Sequence, residues 1–167
     1  KLEWDGKKLV LEFSEITIPH FDKIEGCITV TPESVNDLEV LLKPDGTHIW
    51  RPFSPISRIE IKTNKKGWSW QGNAYLDGNF GTRALEQDFN YWTWSRLPFK
   101  DKCLTFYDAD LVDGGNTNIA LRFNKNGSVE EVEAPPLQPI SKTKWLIKRV
   151  ARSDREFSPC LLYTTPS

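Results

Sequence analysis

Hydrophobic and polar residues alternate along most of this chain at a period of two, the signature of a β-strand whose successive side chains leave on opposite faces. Leu9, Leu11 and Phe13 alternate with polar neighbours, residues 27–31 and 38–42 are β-rich, and residues 57–62 alternate again. Further strand-like runs cover residues 68–77, 92–97, 104–111, 118–123 and 145–151. Between them stand Pro44-Asp45-Gly46, Asn64-Lys65-Lys66-Gly67, Gly78-Asn79-Phe80-Gly81, Asp113-Gly114-Gly115 and Asn126-Gly127, combinations that favour tight reversals. Helical period occurs once, after Thr82, where Leu85 and Phe89 would share a face and Thr82 would cap. Pro135, Pro136 and Pro139 predict a connection outside the ladder, because proline has no N–H to donate. The pattern predicts an all-β fold, an antiparallel barrel or sandwich with one short helix, of a kind that can enclose an apolar ligand.

Composition narrows the function. The 167 residues suffice for one domain with a proper core. Twenty-two basic residues against 23 acidic ones leave a net charge of -1, which supplies no electrostatic footprint for nucleic acid. No apolar run approaches the roughly 18–20 residues of a membrane span. The expected location is therefore cytoplasmic, with peripheral membrane contact left open. Cys27, Cys103 and Cys160 are odd in number and widely spaced, so they read as buried reduced thiols and not as a disulfide framework or a zinc site. His20 and His48 are the only histidines, which argues against a multi-histidine metal centre. The chain contains no methionine and is expected to be a piece of a longer protein. Residues 1–152 form the expected functional region and 153–167 a tail whose one apolar run is 160–163.

The chemistry concentrates in residues 68–96, which hold four of the seven tryptophans. At the strand period Tyr75 and Asp77 point the same way, and the Gly78–Gly81 turn is expected to place Asp77 at the mouth end of its strand. His48 and Trp50 show the same two-residue relation after the Pro44-Asp45-Gly46 turn. If the two strands are neighbours, one wall carries His48, Trp50, Tyr75 and Asp77. Taken singly these residues have plainer readings: a lone Asp before Gly-Asn is most often a turn former, and a lone His a satisfied structural residue. Trp68-x-Trp70 and Trp92-x-Trp94 read as core or rim packing, Arg58 and Arg96 as solvated ion pairs, and Glu86 as a helix cap or pair.

In combination the residues carry a resemblance. His48-x-Trp50 followed by Pro52, Pro55 and Arg58, then Gly72-x-Ala74-Tyr75-x-Asp77-x-Asn79-x-Gly81, Leu85-Glu86 and Trp92-x-Trp94-x-Arg96 resemble the carotenoid 1,2-hydratase family, also called hydroxyneurosporene synthase. That family belongs to a lipocalin-like superfamily that includes tocopherol cyclases and decalin-forming pericyclases. The likeness runs from about Trp4 to about Arg152. It implies a lipocalin-like barrel or sandwich, part of a longer protein with two such halves, and a lipophilic carotenoid or isoprenoid substrate with no cofactor. It also implies that the His-x-Trp and Tyr-x-Asp pairs, here His48, Trp50, Tyr75 and Asp77, form the active site with the aspartate as proton donor.

Elementary chemistry agrees with that assignment. Hydrating an isolated trisubstituted alkene needs a proton for one carbon, a tolerated tertiary cation at the other, and water admitted late. An aspartate in an apolar aromatic pocket has its charged form disfavoured and can act as general acid, which is the role expected of Asp77. The rings of Trp50 and Tyr75 can stabilise the cation. His48 has two roles open, a hydrogen bond to Asp77 or activation of the water. Two further functions share the scaffold: a polyene cyclase or pericyclase into which no water enters, and a non-catalytic carrier of a lipophilic ligand.

Overall fold

The computed structural model describes residues 1–142, 145–146 and 149–154. It is all-β and antiparallel throughout. The first sheet contains β1 (Leu2–Trp4), β2 (Leu9–Ile16), β3 (Lys23–Ser34), β4 (Val40–Leu41), β5 (His48–Thr63) and β6 (Trp70–Gly81). One edge of β5 is shared, its C-terminal half pairing with β3 and its N-terminal half with β4, while β6 pairs along the other edge. The second sheet has the order β10-β9-β8-β7, made of β7 (Phe89–Pro98), β8 (Lys102–Leu111), β9 (Asn116–Asn124) and β10 (Val129–Glu131). A separate hairpin joins β11 (Leu137–Ile140) to β12 (Arg149–Arg152).

The two sheets pack face to face. Leu42, Trp50 and Ile56 from the first meet Phe89, Cys103, Tyr107, Ala109, Leu111, Leu121 and Phe123 from the second. Trp50 is 0 % exposed and its ring lies 5.8 Å from that of Tyr107. Strand β8 is buried on both faces. Cys103, Thr105, Tyr107, Ala109 and Leu111 alternate toward the interior, whereas Phe106 and Asp108 are buried on the outer face. There Arg152 of β12 grips the Asp108 carboxylate and donates from Nη1 to the Pro135 carbonyl at 2.8 Å.

Strand β5 is the organising element, and its register is broken twice, between Arg51 and Ser54 and between Ser54 and Ser57. The breaks coincide with Pro52 and Pro55, which have no N–H for the ladder, so the chain bulges there. Two hydroxyls satisfy the backbone at the bulges. Ser54 Oγ lies 2.6 Å from the Ser34 carbonyl, 3.1 Å from that of Ile56 and 2.7 Å from Ser57 Oγ, while Ser57 Oγ donates to the Ser54 carbonyl at 3.1 Å. Asn36 closes the arrangement by donating to the Pro52 carbonyl at 2.7 Å.

Several expectations are corrected. Gly78-Asn79-Phe80-Gly81 is not a turn: β6 continues through it, Gly81 pairs with His48, and Asp77 lies well inside the strand. These glycines serve close approach, since a methyl on Gly81 would stand 2.7 Å from His48 Nδ1 and one on Gly78 would stand 3.1 Å from Phe53 and Phe80. The helix expected after Thr82 shrinks to a 3-10 turn, Leu85–Gln87, entered through Ala84, and Phe89 is a buried strand residue. Pro139 sits inside a ladder opposite Val150, which an edge strand permits. The strand expected over 145–151 begins at Arg149, although part of that span lies outside the described residues, as do Cys160 and the apolar run 160–163. The turns at Gly46, Gly67, Gly114 and Gly127 form as expected, each glycine with positive φ. Cys27 and Cys103 are free thiols, the second buried.

The bulge hydroxyls should be measurable in stability. Ser54→Ala removes partners from buried backbone carbonyls and from Ser57, and is expected to cost about 1–3 kcal/mol. Chemical denaturation checks it, and an unchanged midpoint would mean that the bulge is held without Ser54.

Candidate active site

The pairing of β5 with β6 sets His48 opposite Gly81 and Trp50 opposite Asn79, with Asp77 and Tyr75 following on the same wall. The Trp50 indole reaches diagonally past Asn79 along β6, where Nε1 donates to Asp77 Oδ2 at 2.9 Å. That bond occupies one carboxylate oxygen. Tyr75 lies beside the pair, and burial followed by the nearby Asp77 charge pushes its phenol above the usual range. The Trp50 N–H is given to Asp77, and among the described residues the buried Tyr75 hydroxyl has no hydrogen-bond partner. Tyr107, facing Trp50 from the second sheet, is pushed up to about 12 by the same two causes.

His48 joins a different cluster. Its Nε2 lies 2.9 Å from Asp88 Oδ2, and both residues are buried. Asp88 also accepts from Arg83 Nε at 2.5 Å and Nη2 at 2.6 Å and pairs with Lys43 Nζ at 2.9 Å. The Arg83 guanidinium, then Lys43 and His48, hold the Asp88 carboxyl far below the ordinary carboxylate range. An ionised carboxylate can only accept, so His48 Nε2 carries the proton and Nδ1 faces Gly81. His48 and Asp77 stand on one wall with Trp50 between them, four residues apart along β6 from Gly81 to Asp77, or roughly 13 Å at the strand rise. Of the two roles open to His48, the direct bond to Asp77 is therefore replaced by a bond to Asp88. Sequence reasoning missed Asp88, Lys43 and Arg83; the one available signal was an acidic residue next to a buried aromatic, which is weak.

The surroundings of Asp77 also differ from expectation. It is exposed and not enclosed in a closed apolar pocket. The reason is topological: among the described residues β6 pairs only with β5 and β7 only with β8, so these two edges face each other without a ladder. Side chains bridge the seam. Tyr75 meets Trp94 edge-on with ring centres 5.0 Å apart, and the Arg96 guanidinium lies over the Tyr75 ring at 5.6 Å. Trp94 packs on Tyr75 at the rim yet remains exposed, as Trp68, Trp70 and Trp92 are, and Arg58 donates to Asn73 Oδ1 at 2.7 Å. Neither Arg58 nor Arg96 has an ion pair with Asp77 among the contacts of the described residues. A cleft of about 450 Å³ opens at one end of the seam, lined in part by Arg58, Asn73, Ala74, Pro98 and Cys103.

Comparison with known proteins supplies a frame for this geometry. The family described as carotenoid hydratase CrtC matches residues 1–164. The chain is 42% identical over 166 residues to the acyclic carotenoid 1,2-hydratase of Rhodobacter capsulatus, covering 98% of this chain and 59% of that protein. It is 40% identical over 155 residues to the enzyme of the same name from Cereibacter sphaeroides, with 92% of this chain and 55% of that protein covered. A further relative of that name, from Thiocapsa roseopersicina, is 40% identical over 149 residues and 37% covered. The chain thus spans little more than half the length of the first two curated relatives. No solved structure matches.

The Asp88 hub has a pH signature. Its folded-state carboxyl titrates below the unfolded value, so its contribution is present above about pH 4 and is lost as the pH falls from there. Asp88→Asn should lower the thermal midpoint at pH 7, and the gap to wild type should narrow between pH 4 and pH 3. A gap of constant size over that range would show that the charge on Asp88 is not what stabilises.

Proposed function

The chain belongs to the carotenoid hydratase CrtC family, and from that premise we propose that it carries the active site of a hydratase adding water to the terminal C=C bond of an acyclic carotenoid or related isoprenoid. The observation that carries the reading is the Trp50–Asp77 hydrogen bond with Tyr75 beside it.

Asp77 Oδ1, the oxygen not held by Trp50, bears the acidic proton. A polyene laid along the open seam displaces water from Asp77, disfavours its charged form and so makes the acid available. Transfer breaks the Asp77 O–H bond, forms a C–H bond at the less substituted alkene carbon and leaves a tertiary cation at the other. The exposed Trp94 ring, with the Tyr75 ring face not taken by Arg96, offers π-faces to that cation, about 1–2 kcal/mol for each well-placed ring. Trp50 is fully buried, so its contribution is to orient Asp77. His48, anchored on Asp88, positions the start of β5. Water then bonds to the cationic carbon and its proton restores the Asp77 acid, so the cycle closes. Because the substrate is lipophilic, the protein meets it by peripheral membrane contact, for which the exposed Phe99 beside Lys100 and Lys102 is suited.

The test uses the intact protein with an acyclic carotene, following product mass. Wild type should yield substrate plus one water, and Asp77→Asn should lower the rate by about 10²–10⁴-fold. Trp50→Phe, which keeps a ring but loses the N–H, should cost about 10–100-fold, the worth of one hydrogen bond to a charged group. A wild type that binds the polyene and returns it unchanged would make the protein a carrier, and a cyclised product of unchanged mass would make it a cyclase.

A further inference from the structure

Among the described residues four buried side-chain polar atoms have no hydrogen-bond partner: Tyr75 Oη, Arg96 Nη1, Thr105 Oγ1 and Arg122 Nε. Buried polar groups in native proteins are almost always paired, so each orphan needs an explanation. Three of the four belong to one neighbourhood. The Arg96 guanidinium lies over the Tyr75 ring at 5.6 Å, and Arg96 stands directly opposite Thr105 in the β7–β8 register, which puts both on the interior face. Thr105 is 0 % exposed and alternates inward with Cys103 and Tyr107, one beside Tyr75 and the other against Trp50. Arg122 lies elsewhere, paired with Glu130.

We infer that Thr105, with the Tyr75 hydroxyl and Arg96, holds the water that captures the cation. The inference rests on the hydratase reading and assigns the one reactant that reading left unplaced. Valence counting supports it. A water donating to Thr105 Oγ1 and Tyr75 Oη and accepting from Arg96 Nη1 has three partners, the usual number for a buried water, and keeps one lone pair free for carbon. His48 is occupied with Asp88, so it does not compete for this role. The cleft lined in part by Cys103, two residues from Thr105 on the same face of β8, opens beside this neighbourhood. In the capture step the water oxygen forms the C–O bond, and the proton it sheds passes to the Asp77 carboxylate left by the first step.

The experiment separates protonation from capture. In D₂O the intact wild-type protein should give hydrated carotene. Thr105→Val, nearly isosteric but without the hydroxyl, should form hydrated product at least ~10-fold more slowly, because the water has lost a fixed acceptor. Its recovered substrate should still gain deuterium, because Asp77 continues to protonate the alkene and the cation collapses by losing a proton. Thr105→Ser should restore hydration. A purely structural Thr105 predicts the opposite, since removing an unpaired buried hydroxyl is neutral or stabilising and would leave activity intact. Hydration by Thr105→Val within about twofold of wild type would overturn the inference, as would joint loss of hydration and deuterium uptake in a variant whose thermal midpoint is unchanged. A wild type that takes up deuterium but forms no hydrated product would instead remove the hydratase reading itself, and with it the role given to Thr105.

Discussion

The pairing of the longest strand, β5, with β6 is the constraint on which this site depends, and two prolines limit how far it runs regularly. Pro52 and Pro55 deny β5 part of its ladder, and the strand answers with two bulges whose carbonyls are taken by Ser54, Ser57 and Asn36. The register holds from His48 to Arg51, so the Trp50 indole reaches Asp77 as the diagonal neighbour of Asn79, and the bulges displace the part of β5 that follows. The same strand begins at His48, whose ring requires a glycine opposite. One strand therefore sets both clusters, and their separation follows from its register with β6.

The two carboxylates of these clusters show what environment does to one chemical group. Asp88 is buried among Arg83, Lys43 and His48, and its cost of desolvation is met by charge-assisted bonds, so it stays ionised and inert as an acid. Asp77 has a single neutral donor and faces an open seam. In the proposed reaction an arriving apolar molecule disfavours the charged form of Asp77, a freedom that Asp88 lacks among its cations. A carboxylate already saturated by cations has no such freedom, which is why the more deeply buried of the two is the less suitable acid.

Much of this was legible in the chain, and the failures have physical causes. Period-two alternation marked most strands, and the glycines at 46, 67, 114 and 127 marked turns because their backbone needs positive φ. Gly78 and Gly81 carry the same letter for another reason, the approach of Phe53, Phe80 and His48 side chains, and composition alone does not separate the two uses. Placing His48, Trp50, Tyr75 and Asp77 on one wall needed only the pairing of two strands, which occurs. What His48 touches was out of reach, because Asp88 is 40 residues away and is brought back by a short 3-10 turn. The open seam was equally hidden: local pattern predicts strands, whereas edges are a property of topology.

That seam bears on why hydration, and not mere reversible protonation, would be the outcome. A tertiary cation formed beside Asp77 has the conjugate carboxylate as its nearest base, so the fastest collapse returns the proton and nothing is gained. Forward reaction requires a nucleophile already in place when the cation forms. A freely open site would also flood Asp77 with water and keep it ionised, defeating the first step. In the proposed reaction the substrate itself covers the seam beside Asp77, while Thr105, Tyr75 and Arg96 offer polar atoms that are unpaired among the described residues on the interior side.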